Sequence, residues 1–476
     1  MLAQQAEQVP VRSSRSARRL LLLVGVPLIA AAQLALHSRD DRPLIARAST
    51  PIQHIIVFFQ ENHSFDNVLG ALCAANTRAT HCDGATRGRI SNGQTIPLTQ
   101  APDVVPHGCY GPSNQVRSID GGKMDGFASN CNCPAPSYSC YSVYEPSQIP
   151  NLAALATKFA ISDRTFELSP VPSWSGHVEL VVQTLDGFDG TQPAYNTNQT
   201  PKPPAQGPGW GCDSNLDAGW KSSPSATSVP EPACIPDPQL DRTKYPFGGA
   251  YRATPVHHVD TIMDRLDAAH LTWKLYSNAW PWAICPSVAD CLYTPQRANL
   301  VDPSHLFTDA QKGTLPNFSI LLPNGGVNGG TSQHNGTSMA VGDNWIGKVM
   351  TAVENGPEWS STAVFITYDD HGGFYDHVPP AFAGAGIRVP MVIVSPYARP
   401  GYTDSTPATF ASMLAFTEHT YGLPALGTND ASAYDFANAF DYSQTPLRGP
   451  SLSSQAISAA EQQYLKAHPA NPNDST

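Results

Sequence analysis

Charge is scarce in this sequence. Asp, Glu, Lys and Arg make up 14% of 476 residues, and the basic share is the smaller, with 28 Lys and Arg against 39 Asp and Glu. A formal net charge of −11 excludes a nucleic-acid binder, and it excludes adhesion to anionic lipid by charge alone. The body of the chain is more acidic still, because residues 1–49 hold seven arginines against three acidic residues. No segment recurs at a fixed period, which excludes a solenoid. What the chain does have is length, enough for a large core in one elaborated α/β domain or in two domains. Its 36 glycines and 44 prolines imply many ordered turns and long surface loops.

The N-terminus has the three parts of an export signal: a basic segment ending at Arg18-Arg19, an apolar stretch from residue 20 to about residue 36, and small and polar residues beyond. The stretch Ser16-Ala17-Arg18-Arg19-Leu20-Leu21 also resembles a twin-arginine signal. The alternative is a retained membrane anchor. Pro27, Gln33 and an apolar run at the lower bound for a span favour cleavage. Residues 1–48 are thus expected to be an export signal with a short linker, and 49–476 one domain with loop insertions at about 73–147 and 183–249. A secreted or cell-envelope location follows. All ten cysteines lie beyond the leader, and an even count in an exported chain favours disulfides, with Cys73–Cys82, Cys212–Cys234 and Cys285–Cys291 as local staples. A zinc thiolate site on Cys131, Cys133 and Cys140 lacks the usual paired two-residue gaps.

The stretch that organises the chain is Thr367-Tyr368-Asp369-Asp370-His371-Gly372-Gly373-Phe374-Tyr375-Asp376-His377. It follows Ala363-Val364-Phe365-Ile366, a continuous apolar run of the kind that forms a strand buried on both faces of a parallel sheet. The carboxyl ends of such strands form the ligand crevice of an open α/β sheet. Two adjacent carboxylates there repel unless a cation or a proton neutralises them, and a divalent metal meets that need. A solvated turn is the competing explanation. The pattern recurs where the strand-like run 52–59 meets Glu61-Asn62-His63-Ser64-Phe65-Asp66-Asn67. If the two strands are parallel neighbours, Glu61 and Asn62 face Asp369 and Asp370 across one crevice. Four hard oxygen ligands suit Mg²⁺, Ca²⁺ or Mn²⁺, with Zn²⁺ compatible. Asn62 or Ser64 can equally cap a helix.

Elsewhere, helical spacing over 151–159, 260–266, 342–353 and 409–421, and strand-like runs over 271–276, 318–322 and 389–395, alternate along the chain. That alternation predicts an α/β fold with a largely parallel sheet. In Pro172-Ser173-Trp174-Ser175-Gly176-His177 a serine stands at a loop-to-helix junction, where backbone N–H groups favour phosphate oxygens. An ordinary N-cap fits it equally well.

The long motifs resemble those of a bacterial phosphoesterase family that contains phospholipases C and a group of acid phosphatases, with plant non-specific phospholipases C as relatives. The resemblance runs from His54 to about Arg399, with a weaker echo at 436–441, and is most specific at residues 61–67, at Lys123-Met124-Asp125-Gly126-Phe127 and at 367–380. It implies an alkaline-phosphatase-like three-layer α/β/α sandwich, and a divalent metal held by Glu61, Asn62, Asp369 and Asp370. It also implies Ser173 as nucleophile. Ser175 and Gly176 stand where the family usually has Pro and Asn, which keeps Ser175 as a rival. His107 and His334 resemble the family's active-site histidines, with Ser332-Gln333-His334-Asn335 in place of Asp-x-His-Pro. The implied activity is hydrolysis of phosphate esters, phospholipids among them, either as a phospholipase C or as an acid phosphatase. A phosphate- or head-group-binding surface protein without turnover is the reading from another class. Trp174, Trp210, Trp220, Trp280 and Trp282 are candidates for an apolar rim, or for local packing. No nucleic-acid partner and no stable protein partner is implied.

Overall fold

The computed structural model describes residues 50–75, 79–131, 133–194, 210–240, 254–278, 282–324 and 330–469. The leader with its export-signal reading, and Trp280, lie outside these residues. Eight strands form one sheet: β1 (His54–Gln60), β2 (Ala160–Ser162), β3 (Trp273–Tyr276), β4 (Leu300–Val301), β5 (Phe318–Leu321), β6 (Thr362–Tyr368), β7 (Met391–Val394) and β8 (Thr403–Asp404). Their spatial order is β4-β3-β5-β1-β6-β7-β2-β8. β1 and β6 are central and buried along their whole length, as their unbroken apolar pattern requires. They pair in parallel, with His54 opposite Thr362 and Gln60 opposite Tyr368.

The helices that bear on the site are α1 (Phe65–Ala74), α2 (Pro112–Ile119), α3 (Pro150–Lys158), α4 (Ser173–Val178), α5 (Ile262–Ala268), α6 (Ser304–Lys312), α7 (Met339–Glu354) and α8 (Ala411–Tyr421). α3 leads into β2, α6 joins β4 to β5, and α7 joins β5 to β6, all moving the same way across the sheet. α3 and α6 both pack on α7. α5 lies on the return connection from β2 to β3, and a right-handed crossover in the opposite direction puts it on the other face. α8 covers that same side, where Phe416 meets Phe365 of β6 edge to face at 4.9 Å. The result is the expected α/β/α layering. The departure is β7, which runs antiparallel to both β6 and β2.

Five disulfides are present. Cys73–Cys82, Cys212–Cys234 and Cys285–Cys291 are the expected local pairs, and Cys109–Cys131 and Cys133–Cys140 occupy the thiols of the zinc alternative. Among the described residues no helix is long and apolar enough to cross a membrane.

Candidate active site

β1 and β6 end side by side, and the residues just beyond them turn towards one another. The Asp369 N–H prolongs the ladder by donating to the Gln60 carbonyl at 3.0 Å. Asp369 Oδ1 accepts the N–H of Asn62 at 2.7 Å and that of Asp370 at 2.9 Å. Asn62 has φ +63°, a left-handed backbone that Asn tolerates better than most side chains. The turn aims its amide at the serine: Nδ2 donates to Ser173 Oγ at 3.1 Å and to both Asp370 oxygens at 3.2 Å, and it also contacts the Tyr110 hydroxyl. Ser173 Oγ in turn donates to Asp370 Oδ2 at 3.0 Å. Ser173 opens α4, and Gly176 lets that short helix approach the strand end, because a Cβ there would lie 2.6 Å from the Asp369 carbonyl oxygen. The rival Ser175 has a buried hydroxyl with no hydrogen-bond partner.

His177, one helical turn after Ser173, joins the cluster. Its Nδ1 hydrogen-bonds to the Trp282 carbonyl at 3.0 Å. Its Nε2 lies 3.7 Å from Glu61 Oε1 and 3.7 Å from Asp369 Oδ2. With Nδ1–H donated to a carbonyl, the Nε2 lone pair faces the two carboxyl groups, which is how a metal-ligating imidazole is oriented. Nothing in the sequence assigned His177 this place. The available signal was its spacing of four from Ser173, which puts both side chains on one helical face.

The electrostatics call for a cation. Burial, followed by the charges of Asp369 and Asp370, pushes the Glu61 carboxyl well above its ordinary range. Burial and then Asp369 do the same to Asp370. Asp369 Oδ2, His177 Nε2 and Asn62 Oδ1 are buried and accept no hydrogen bond. Ligand atoms of Glu61, His177 and Asp369 all lie within 4.8 Å of one another, and a half-turn of the Asn62 amide brings Oδ1 to the side of Asp370 and Ser173. Three carboxyl groups, an amide oxygen and an imidazole form a donor set that fits a divalent ion, whose charge would offset the repulsion that otherwise favours protonation of Glu61 and Asp370.

His371 and Glu167 support this cluster from behind. The His371 N–H donates to Glu167 Oε1 at 2.9 Å, and its Nδ1 lies 3.2 Å from the same oxygen. Burial lowers the His371 pKa to about 3 and, with the Asp370 charge, raises that of Glu167. His107 and His334 come together with ring centroids 6.0 Å apart. Their sequence neighbours both reach the turn after Asp370: Asn335 donates to the Gly372 carbonyl at 3.0 Å, and a Cβ on Gly108 would lie 2.9 Å from that same oxygen. Trp174, Trp210 and Trp282 are buried and pack on Phe188, on each other and on His177, and Trp220 donates to the Asp186 carbonyl at 2.7 Å. The described tryptophans are local packing and form no rim.

The central motif divides at its glycines. Gly372 and Gly373 have φ +62° and +80°, and a Cβ on Gly372 would lie 1.7 Å from the Asn62 carbonyl oxygen. Gly372→Ala is therefore expected to cost about 2–4 kcal/mol, through both the backbone strain and the clash. Urea denaturation measures this, and a loss below 1 kcal/mol would contradict the close packing of the two turns. Beyond the glycines the chain enters a separate ion network. Arg388, fully buried, donates through Nε to Asp376 Oδ1 at 3.1 Å, through Nη2 to Asp66 Oδ1 at 3.1 Å, and through Nη1 to the carbonyls of Asp83 and Asp163 at 2.8 and 2.9 Å. His377 bridges Asp66 at 2.6 Å and Asp83 at 2.9 Å. Burial disfavours the charged ring, but the hydrogen bond and charge of Asp66 outweigh it and raise the pKa to about 9. A raised pKa stabilises below the unfolded value near 6.5, and the effect fades as pH rises through about 9. His377→Gln should thus cost up to about 3 kcal/mol at pH 6 and little at pH 10. Paired melting curves across that range test it, and a penalty independent of pH would refute it.

The model of the phosphoesterase family matches residues 52–424. Non-specific phospholipase C1 of Arabidopsis thaliana is 25% identical, covering 74% of this chain and 62% of its own length. Phospholipase C A of Mycobacterium tuberculosis is 23% identical over 86% of this chain and 81% of that protein. The non-hemolytic phospholipase C of Burkholderia pseudomallei is 27% identical over 40% and 37%. A solved structure of a protein in the alkaline phosphatase superfamily from Vibrio parahaemolyticus matches 62% of this chain and 65% of that chain, with 11% identity and a TM-score of 0.32. The chain thus spans 62% of the length of the plant relative. The family match covers both strand-end motifs, the serine helix and the Gly372 turn, and the chain belongs to the phosphoesterase family.

Proposed function

We propose that the protein is an exported phosphoric ester hydrolase that uses Ser173 as nucleophile and a divalent metal held by Glu61, Asn62, Asp369, Asp370 and His177, with phosphodiesters of the phospholipase C type as preferred substrates. The observation that carries it is the placement of Ser173 Oγ against Asp370 at 3.0 Å and Asn62 at 3.1 Å, at the edge of a carboxyl-rich cluster. The relatives' names support the substrate class, and the five disulfides support export.

A divalent ion bound there supplies positive charge to the phosphoryl oxygens and favours the ionised serine. The protein's own groups do the rest. Asp370 takes the Ser173 proton and orients the oxygen. Oγ forms a bond to phosphorus as the bond to the leaving alcohol breaks, and His334 or His107 protonates that alcohol. Water then attacks the phosphoserine, the Oγ–P bond breaks and Ser173 regains its proton. Burial of the site keeps other nucleophiles out.

The test is hydrolysis of p-nitrophenyl phosphorylcholine and p-nitrophenyl phosphate, side by side, by the purified mature protein. Preference for the choline ester is expected. Preference for the monoester would make this an acid phosphatase, and cleavage of neither across a range of pH and added metals would sink the hydrolase reading in favour of a binding protein.

A further inference from the structure

Immediately after the central motif the chain runs through Val378-Pro379-Pro380-Ala381-Phe382-Ala383-Gly384-Ala385-Gly386-Ile387, ten residues without a charge in an acidic protein. Both ends of this loop are tied to the body. Val378 N–H donates to Asp376 Oδ1 at 2.9 Å, Gly386 N–H to the Glu167 carbonyl at 3.1 Å, and Ile387 N–H to Gln115 Oε1 at 3.3 Å. Between those ties the loop leaves the body: residues 381–384 are exposed, and Phe382 keeps 45% of its surface in water at the turn closed by Ala385 N–H on its carbonyl. Behind it, Phe382, Ala383, Gly384 and Ala385 form one wall of a cavity of about 700 Å³ whose other walls include Leu168, Leu185 and Phe188.

A second large apolar side chain stands exposed on the element tied to the loop. Val116 of α2 is 59% exposed, and its neighbour Gln115 is the acceptor that holds Ile387. The same loop-and-helix segment supplies Tyr110 to the Asn62 amide. Arg117, in the last turn of α2, is an exposed charge next to Val116, and beyond the helix Asp120 and Lys123 pair with each other at 2.8 Å. An exposed aromatic tip on an uncharged loop anchored at both ends is suited to meet an apolar phase.

We propose that the loop at residues 379–384, with Phe382 at its turn, seats the protein on a phospholipid bilayer, inserting Phe382 at the head-group boundary. This inference rests on the phospholipase C reading and deepens it. The lack of charge on the loop and the acidic body choose a zwitterionic surface over an anionic one.

The experiment uses the full mature chain and vesicles of phosphatidylcholine, with co-sedimentation for binding and p-nitrophenyl phosphorylcholine as a soluble substrate. Wild type is expected to bind the vesicles. Phe382→Asp is expected to weaken binding by about tenfold or more, as loss of one inserted aromatic side chain implies, while hydrolysis of the soluble ester stays at the wild-type rate. Phe382→Trp should keep binding and show a blue shift of its emission on adding vesicles. Equal binding by wild type and Phe382→Asp, no binding by wild type, or a shift of a dimer to a monomer by Phe382→Asp without lipid each overturn the inference. Loss of vesicle binding alone leaves the hydrolase standing, whereas failure of the wild type on the soluble ester condemns the underlying reading.

Discussion

Replacement of Ser173 by alanine is expected to lower turnover of p-nitrophenyl phosphate esters by at least about three orders of magnitude, with the protein still folded. The hydroxyl is the one nucleophilic atom that touches both Asp370 and the Asn62 amide. In the proposed mechanism its removal takes away the oxygen that attacks phosphorus and leaves the carboxyl cluster in place. The fold should tolerate the change, since the loss of one buried hydroxyl in a short helix costs on the order of 1 kcal/mol. Ser175→Ala is the matched control. That hydroxyl is equally buried but lies outside the contacts to Asp370, so its loss should alter turnover by less than about tenfold. If Ser173→Ala turns over like the wild type, or if Ser175→Ala is the inactive variant, the nucleophile is misassigned.

The largest effect on stability is expected at Arg388. The guanidinium lies 4.1 Å from the centre of the Phe65 ring and supplies the positive charge between Asp66 and Asp376. Burial raises the Asp376 carboxyl to about 6 even though Arg388 opposes that rise. Arg388→Met would leave two buried carboxyl groups and the carbonyls of Asp83 and Asp163 without their donor, and breaking a buried pair from one side costs about 3–5 kcal/mol. Arg388→Lys keeps the charge but not the forked geometry, and it should fall between wild type and Arg388→Met. Denaturant midpoints of the three proteins test the order. A midpoint for Arg388→Met within 1 kcal/mol of wild type would show that the network does not hold the motif. Because the same network anchors Val378, the Met variant should also loosen the exposed loop that follows it.

Much of this was legible in the chain because the strand-end motifs are local. A buried run followed by paired acids identifies itself at β1 and at β6, and parallel neighbours then place Glu61 and Asn62 opposite Asp369 and Asp370 without further information. The reversed direction of β7 was not legible. Its four residues are buried on both faces, so there is no alternation from which to read direction. The separation of Asp376 and His377 from Asp369 and Asp370 was hidden for a different reason. The motif reads as one block, and only the positive φ of Gly372 and Gly373 sends its halves to different centres. Arg388 and Tyr110 are distant in sequence from what they touch, and no local pattern marks a lone Arg as the centre of an ion network. Cysteine spacing found the pairs Cys73–Cys82, Cys212–Cys234 and Cys285–Cys291 but not the pairing of Cys109 with Cys131 or of Cys133 with Cys140, since closely spaced cysteines admit several connectivities.

The proposed role of the carboxyl, amide and imidazole groups around Ser173 is to hold a divalent metal on which ester hydrolysis depends. The direct measurement is to strip the purified protein with a strong chelator and return divalent metal in steps, following bound metal and turnover together. Turnover should disappear on stripping and return in proportion to the metal bound, while Asp369→Asn stays folded but binds metal weakly and remains inactive. Full turnover by a protein shown to contain no metal would contradict the account.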